Sequence, residues 1–349
     1  MNFAVGYQPF LAGELFCEMV ADYRDHISEV YFALPGTPSG RPEPERDREL
    51  LDQLACELAE IRKLGIGLDL LLNGNCYGGG AVSRDFACEI TRTIAKFSEI
   101  GLGPDIVTTT SPFVATVVRT DFPDIELRAS VNMRLDSTLA LEYLADTFDS
   151  FYIRRDLQRD LPTLERWSDW CKAHGKKLGL LANSGCLRNC PYQTFHDNLV
   201  AHDAEVRNRE NVGDFLPHHC WKRFKKRENL SDFLRGSWIR PEDLHLYAPY
   251  VDVIKLATRR HASPRLVVAA YTSENFDGNV FNLTEPCFSS AAAPWILDNK
   301  LLSADDLPGA CATDCRHCGK CEAVLAKALR KPSGRGEDSA RHSTQIGVV

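Results

Sequence analysis

The chain has 349 residues, 44% of them hydrophobic, which is enough to build a large core in one or two domains. Its formal net charge of −7 argues against a general polyanion binder, although the basic run from Lys222 to Arg227 could contact nucleic acid locally. The first residues do not resemble a targeting signal, and no run approaches the roughly 18 apolar residues that span a bilayer. We therefore expect a cytoplasmic protein with no membrane partner.

Short apolar runs alternate with helical patterns along most of the chain. The predicted strands are residues 3–6, 29–33, 67–73, 105–109, 126–131, 150–154, 177–182 and 251–256. The predicted helices are residues 10–24, 45–63, 84–100, 113–122, 138–147, 162–174 and 262–271. Strands that alternate with helices pair in parallel through right-handed crossovers. Eight such units predict a closed (β/α)8 barrel of the TIM type.

An open, doubly wound α/β sheet is the competing architecture. It has less support, because no glycine-rich dinucleotide-binding pattern follows the first strand. The barrel is predicted to occupy residues 1–275, with a long insertion at 184–240 after strand seven. A cysteine-rich extension follows at 276–330, and the polar, aperiodic residues 331–349 are expected to be a disordered tail.

Polar side chains follow several predicted strands. In a (β/α)8 barrel the active site lies where the strands end, so these side chains should share one mouth. They are Asn73, Asn75, Cys76, Thr108, Thr109, Thr110, Ser111, Asn132, Arg134, Arg154, Asn183, Cys186, Cys190, Lys255 and Arg259. The mouth should be polar and partly cationic, which suits an anionic or carbonyl-rich small molecule.

The chain contains 13 cysteines, and those that cluster favour a metal or iron–sulfur site over disulfides, because cytosolic thiols stay reduced. The first group is Cys186 and Cys190, followed by Cys220. Cys287 could complete this group, and Cys76 is its rival because it emerges at the same mouth. A pair of buried thiols without a metal remains an alternative. A tetrahedral zinc site that uses His218 or His219 is another.

The second group lies in the extension and contains four cysteines in eleven residues. Its members are Cys311, Cys315, Cys318 and Cys321. Four thiolates fit an iron–sulfur cluster and a zinc ion equally well. The sequence therefore predicts either one 4Fe-4S cluster or two. Zinc is the alternative metal at the C-terminal group.

Hydrolytic chemistry has little support in the sequence. There is no His-Glu-x-x-His zinc motif, no Gly-x-Ser-x-Gly turn and no phosphate-binding Gly-x4-Gly-Lys-Ser/Thr loop. Carboxylates such as Asp69 and Asp197 could act as bases, but nothing in the sequence distinguishes them from other acidic side chains.

Four stretches resemble the collagenase-like peptidase family U32, and the resemblance covers about residues 60–275. They are Glu126-Leu-Arg-Ala-Ser-Val-Asn132, Ser184-Gly-Cys-Leu-Arg-Asn-Cys-Pro191, Ser237-Trp-Ile-Arg-Pro-Glu-Asp-Leu244 and Val253-Ile-Lys-Leu-Ala-Thr-Arg259. The resemblance implies a 4Fe-4S cluster held by four cysteines, with Cys186, Cys190 and Cys220 in ligand positions. It also implies oxygen-independent hydroxylation of RNA or of a small aromatic ring, with prephenate implicated as the oxygen donor.

The leading hypothesis is an iron–sulfur enzyme of this kind, acting on an RNA or small-molecule substrate. Substrate or an anionic cosubstrate would be held by Asn73, Arg128, Asn132, Arg154 and Lys255. The second hypothesis is a non-catalytic iron–sulfur or zinc protein that acts as an electron carrier or partner subunit, and the third is a peptidase. An electron donor is a further expected partner of the leading hypothesis.

Overall fold

The computed structural model describes residues 1–9, 11, 13–42, 47–209, 218–307, 309, 311 and 315–332, except for the side chains of Cys315 and Arg316. Eight parallel strands form a closed barrel in which each strand pairs with the next one along the chain and the last pairs with the first. They are β1 (Phe3–Gly6), β2 (Ile27–Phe32), β3 (Gly67–Leu72), β4 (Ile106–Thr109), β5 (Glu126–Ala129), β6 (Ser150–Tyr152), β7 (Lys177–Leu181) and β8 (Val253–Leu256). The predicted (β/α)8 fold is confirmed, and every predicted strand overlaps an observed one.

Helices follow the strands around the outside of the barrel. They are α1 (Phe16–Asp22), α2 (Arg48–Lys63), α3 (Arg84–Glu99), α4 (Pro112–Asp121), α5 (Thr138–Glu142) and α6 (Leu161–Ala173). Their starts follow local chemistry. The Ser83 hydroxyl accepts a hydrogen bond from the amide of Phe86 at 3.1 Å and so caps α3. Ser111 caps α4 in the same way, with Pro112 in the first turn, where its missing N–H costs nothing.

Strand residues alternate between the two faces of the barrel. On β2, Val30 and Phe32 pack outward against the helices, whereas Glu29 and Tyr31 point into the barrel. The outer layer is apolar, while the interior combines aromatic rings with buried charged groups. Buried charge is stable only when it is paired, so these groups constrain one another.

The insertion and the extension pack together, and we call them the cap (residues 184–240 and 276–330, as far as they are described). The insertion contains α7 (Gln193–Ala201), α8 (Asp203–Arg207), α9 (His219–Phe224) and α10 (Ser231–Arg235), and α11 (Pro264–Thr272) follows β8. The extension contains α12 (Ser289–Ala292), β9 (Ile296–Leu297), α13 (Cys315–Cys318), α14 (Lys320–Ala328) and β10 (Leu329–Arg330). α10 packs on α14, and β9 pairs with β10 in antiparallel orientation.

A second hydrophobic core holds the cap together. From the insertion it takes Phe224, Phe233 and Trp238, and from the extension it takes Phe281 and Phe288. The rings of Phe233 and Phe281 meet edge to face with centroids 4.7 Å apart. The insertion and the extension, which are far apart in the sequence, therefore share one hydrophobic core.

Two predicted helices differ in extent from those observed. The helix predicted over residues 10–24 begins at Phe16, because Gly13 adopts a φ of 87° and Leu11 bridges to Glu14. The helix predicted over residues 138–147 ends at Glu142. The predicted disordered tail lies mostly outside the described residues, at 333–349. Within the described part of the chain, no helix is both long and apolar enough to cross a membrane.

Candidate functional site

The loops that follow β2, β3 and β5 interlock at the C-terminal mouth of the barrel. Asn73 accepts a hydrogen bond from the amide of Gly40 at 3.0 Å and donates to the Ser130 hydroxyl at 3.5 Å. Asn75 donates to the carbonyl of Asn132 at 3.4 Å. A Cβ at Gly40 would lie 2.5 Å from the Asn132 amide nitrogen, so a larger residue at position 40 would displace the Asn132 side chain. The structure thus brings together Asn73 and Asn132, two of the predicted substrate residues, at the mouth.

Arginine side chains surround the same opening. Arg41 donates to Glu285 at 2.7 Å, and the backbone amide of Arg260 donates to the other oxygen of that carboxylate at 3.2 Å. Burial acts to raise the pKa of Glu285, but Arg41 outweighs it and holds that pKa below its ordinary value. Arg259 donates to the Ser39 hydroxyl at 3.1 Å. Sequence reasoning identified Arg259 but missed Arg41 and Glu285, which meet only in the folded chain.

Arg128 lies deeper, inside the barrel. Its guanidinium donates to Glu29 at 3.1 Å and to Glu126 at 2.8 Å, and its side chain is almost fully buried. These carboxylates satisfy the arginine, and the position favours a role in holding the barrel interior. Substrate binding by Arg128 stays an untested prediction.

Lys255 belongs to the same buried layer. Its ammonium group lies 3.7 Å from the ring centroid of Tyr31 and 5.3 Å from that of Tyr152. Burial lowers the pKa of Lys255, and burial raises the pKa of Asp69, with which the lysine interacts electrostatically. The predicted cation is therefore present beneath the mouth, paired with charge and aromatic rings from the barrel strands.

Arg154 faces the loop that carries the first cysteines. It donates to Asp156 at 3.1 Å and lies 3.7 Å from Asp136. The other oxygen of Asp156 accepts the amide of Asn189 at 3.1 Å, and Asn189 sits in the left-handed region with a φ of 52°. Arg154 thus supports the carboxylate that fixes this loop.

Three cysteines of the first predicted group come together. Cys186 and Cys190 lie on the loop after β7, and Cys220 lies on α9. Burial raises the pKa of Cys220 to about 12, and the charges of Cys186 and Cys190 contribute to that rise. Arg155, which sequence reasoning missed, donates to the Cys186 sulfur at 3.3 Å. The three sulfurs therefore share one partly buried neighbourhood with a cationic donor.

Cys287 approaches this neighbourhood through the backbone. Ser184 and Glu285 form a parallel β-bridge. Cys186 lies two positions after Ser184, and Cys287 lies two positions after Glu285. Because the two bridged segments are parallel, both cysteines lie on the same side of the bridge. The Cys287 sulfur lies 3.2 Å from the Ser289 hydroxyl.

Cys76, the rival of Cys287, has different neighbours. Its sulfur accepts the amide of Gly78 at 3.4 Å and interacts with the imidazole of His202. His202 in turn contacts Glu205. Neither His202 nor Glu205 was identified from sequence, because both lie in the insertion, more than a hundred residues from Cys76.

The histidines considered as zinc ligands are engaged by aromatic contacts. His218 meets His196 edge to face at a centroid distance of 4.7 Å, and His219 stacks on Tyr192 at 4.8 Å. Burial lowers the pKa of His196 to about 4, with His218 contributing, so His196 is neutral near pH 7.

The second cysteine group is described only in part. Cys321 is buried in the cap core on α14, and the charge of Cys311 adds to the effect of burial in raising the pKa of Cys321. Cys318 is exposed at the end of α13, and the side chain of Cys315 lies outside the described part. Metal binding by this group stays a prediction.

No set of three or more His, Cys, Asp or Glu side chains within the described ranges is compact enough to hold a metal ion. The ligands of an iron–sulfur cluster stand further apart than those of one ion, because irons and bridging sulfides lie between them. Thiolates are ligands of both iron–sulfur clusters and zinc, and the binding of either group at these cysteines stays a prediction.

Two relatives place the chain among known proteins. It is 28% identical over 290 residues to an uncharacterized protease of Methanocaldococcus jannaschii, covering 80% of this chain and 82% of that protein. The solved U32 peptidase Mk0906 superposes with a TM-score of 0.52 at 13% identity, covering 74% of this chain and 92% of that one. The likeness to this solved structure supports the (β/α)8 fold. No family model matches the chain.

Proposed function

We propose that this U32-like protein is an iron–sulfur-dependent enzyme that modifies an RNA base or a small aromatic molecule, by oxygen-independent hydroxylation or a related reaction. The observation that carries the proposal is the electrostatic interaction of Cys220 with Cys186 and Cys190, which follow β7 at the mouth of a closed barrel. Active sites of this fold lie at that mouth. Thiolates in loops are the usual ligands of iron–sulfur clusters.

We propose Cys287 as the fourth ligand. The parallel bridge between Ser184 and Glu285 brings its segment alongside that of Cys186, with both cysteines two residues beyond the bridge. Cys76 interacts instead with Gly78 and His202. The Arg155 guanidinium would remain a hydrogen-bond donor to the Cys186 sulfur, and such donors tune the potential of a cluster.

A bound cluster would supply electron transfer, and the other steps fall to this chain's own residues. Arg41 and Arg259 place two positive charges at the mouth beside the interlocked loops of Asn73 and Asn132. These groups suit an anionic cosubstrate, because arginine binds carboxylates through directed, charge-assisted hydrogen bonds. The Arg41–Glu285 ion pair would open, or share its guanidinium, when such an anion binds.

Anaerobic purification followed by iron and acid-labile sulfide analysis tests the cofactor. One cluster gives about four irons and four sulfides per chain. Replacing Cys186, Cys190 and Cys220 together with alanine should remove them, whereas Cys88→Ala, on the exposed face of α3, should not. A colourless wild-type protein that binds no iron after reconstitution would rule the proposal out.

The fourth ligand is tested by comparing Cys287→Ala with Cys76→Ala. The first variant should lose the intact cluster or hold it only in a labile form. The second should keep the iron and sulfide content of the wild type. The reverse result would make Cys76 the ligand and reject the assignment of Cys287.

The reaction is tested in cells that lack the gene. Mass spectrometry of their RNA and small aromatic metabolites should reveal a species short of one oxygen atom, restored by the wild-type gene under anaerobic growth. The variant without Cys186, Cys190 and Cys220 should not restore it. Restoration by that variant would exclude a cluster-dependent reaction.

A further inference from the structure

A second group of reactive side chains lies at the mouth. Cys76 sits in the turn after β3, where the amide of Gly78 donates to its sulfur at 3.4 Å. Gly78 adopts a φ of 60°, and a Cβ built there would lie 3.7 Å from Cε1 of His202. The imidazole therefore packs over the turn that carries the thiol, and this turn leaves the sulfur partly exposed.

A carboxylate orients this histidine. Nδ1 of His202 lies 3.2 Å from Glu205, three residues further along the chain. Hydrogen bonding at Nδ1 leaves Nε2 as the nitrogen that can exchange a proton with the thiol. A thiol, an imidazole and a carboxylate thus stand in the order nucleophile, base and orienting group.

The electrostatics of the group favour charge separation. The hydrogen bond with His202, followed by that from the Gly78 amide, lowers the pKa of Cys76. Hydrogen bonds with Cys76 and then Glu205 raise the pKa of His202. Both shifts favour a thiolate beside an imidazolium, which is the reactive form of such a pair.

We propose that Cys76, His202 and Glu205 form a thiol centre that accepts an acyl group from an activated carbonyl compound. This activity is separate from the proposed cluster chemistry, and it uses the cysteine that the proposed cluster does not. The centre lies beside the same mouth, because Asn75, next to Cys76, donates to the carbonyl of Asn132.

The step balances without a redox partner. The Cys76 thiolate forms a bond to the carbonyl carbon, the bond from that carbon to the leaving group breaks, and the His202 imidazolium gives its proton to the leaving group. Water then adds to the thioester while neutral His202 takes its proton. The acid leaves, and the thiolate–imidazolium pair is restored. Glu205 is a positioning residue, since it acts through His202.

Acyl transfer is tested with p-nitrophenyl acetate and the purified full-length protein. The wild type should release nitrophenolate and carry one acetyl group on the Cys76 peptide. Cys76→Ser should remove that label, and His202→Gln should slow labelling roughly a hundredfold, the size expected for loss of a general base. Glu205→Gln should slow labelling less. Cys88→Ser, which changes an exposed thiol on α3, should label as the wild type does.

The pH profile separates a reactive centre from simple exposure. Iodoacetamide should alkylate Cys76 at lower pH than it alkylates Cys88, and His202→Gln should move the Cys76 midpoint up toward the usual cysteine pKa of about 8.5. Equal profiles for the two cysteines, no acetyl group on Cys76, or loss of iron from Cys76→Ser would each overturn the proposal. The last result would mark Cys76 as a ligand while leaving the iron–sulfur function intact.

Discussion

The barrel and the cap differ in how far apart in the sequence their contacting residues lie. In the barrel, every strand pairs with its neighbour in sequence. The barrel core is formed by residues from successive strands and helices along the chain. The cap core joins two stretches that β8 and α11 separate, and its contacts are mainly aromatic. All four first-group cysteines, Cys186, Cys190, Cys220 and Cys287, belong to the cap. The barrel thus supplies the frame of the mouth, and the cap supplies the cysteines that are predicted to be ligands.

Arg128→Ala should have the largest effect, because it removes the cation that satisfies Glu29 and Glu126 inside the barrel. Leaving buried carboxylates unpaired should lower the free energy of unfolding by about 3–5 kcal/mol. Chemical denaturation measures this loss. A change below about 1 kcal/mol would mean that the charged layer does not hold the barrel.

Leu234→Ala should weaken the cap. Leu234 is fully buried on α10, and its truncation should cost about 3 kcal/mol. Limited proteolysis should then cut first within residues 184–240 or 276–330 and leave the barrel resistant. Leu139→Ala, at a half-exposed position on α5, is the control. Cleavage that begins in the barrel would show that the two cores unfold as one.

Glu285→Gln tests the connection between the two regions, because Glu285 joins the cap to Arg41 of the barrel loop. Losing the charge should cost about 1–2 kcal/mol near pH 7. The folded pKa of Glu285 lies below its ordinary value. The pair therefore stabilises the protein above the ordinary carboxyl pKa, and this contribution disappears as pH falls through the lower folded value. Denaturation across acidic pH should show a shallower dependence in the variant, and identical slopes would contradict the assignment.

Arg154→Ala should have the smallest effect on stability. Its side chain is about one-third exposed, at 31%, and pairs with Asp156, which is mostly buried, and with the exposed Asp136. Such pairs contribute about 0–1 kcal/mol. Thermal unfolding should therefore resemble that of the wild type. A loss as large as that of Arg128→Ala would show that the support for the cysteine loop is part of the folding core.

The barrel could be predicted from the sequence because each strand and helix is marked by a local residue pattern. Alternating apolar runs and helix-start residues such as Ser83 and Ser111 mark each unit, and the topology follows from repetition. The same reasoning placed Asn73 and Asn132 at one mouth. It also grouped Cys186, Cys190 and Cys220, since two of them follow the same strand.

The rest depends on long-range contacts that no local pattern encodes. Arg41 and Glu285 are 244 positions apart in the chain, and their meeting requires the extension to fold back on the barrel. Arg128 was predicted to hold substrate or an anionic cosubstrate, yet its guanidinium pairs with Glu29 of β2 and with Glu126 of its own strand. His202 and Glu205 had no visible relation to Cys76 until the insertion was folded.

The parallel bridge between Ser184 and Glu285 joins two segments that are synthesised at different times. Chains are synthesised from the N-terminus, and domains fold as they emerge. All eight barrel strands leave the ribosome before residue 285 does. The bridge that holds the extension beside the Cys186 loop therefore becomes possible only after every barrel strand has been synthesised.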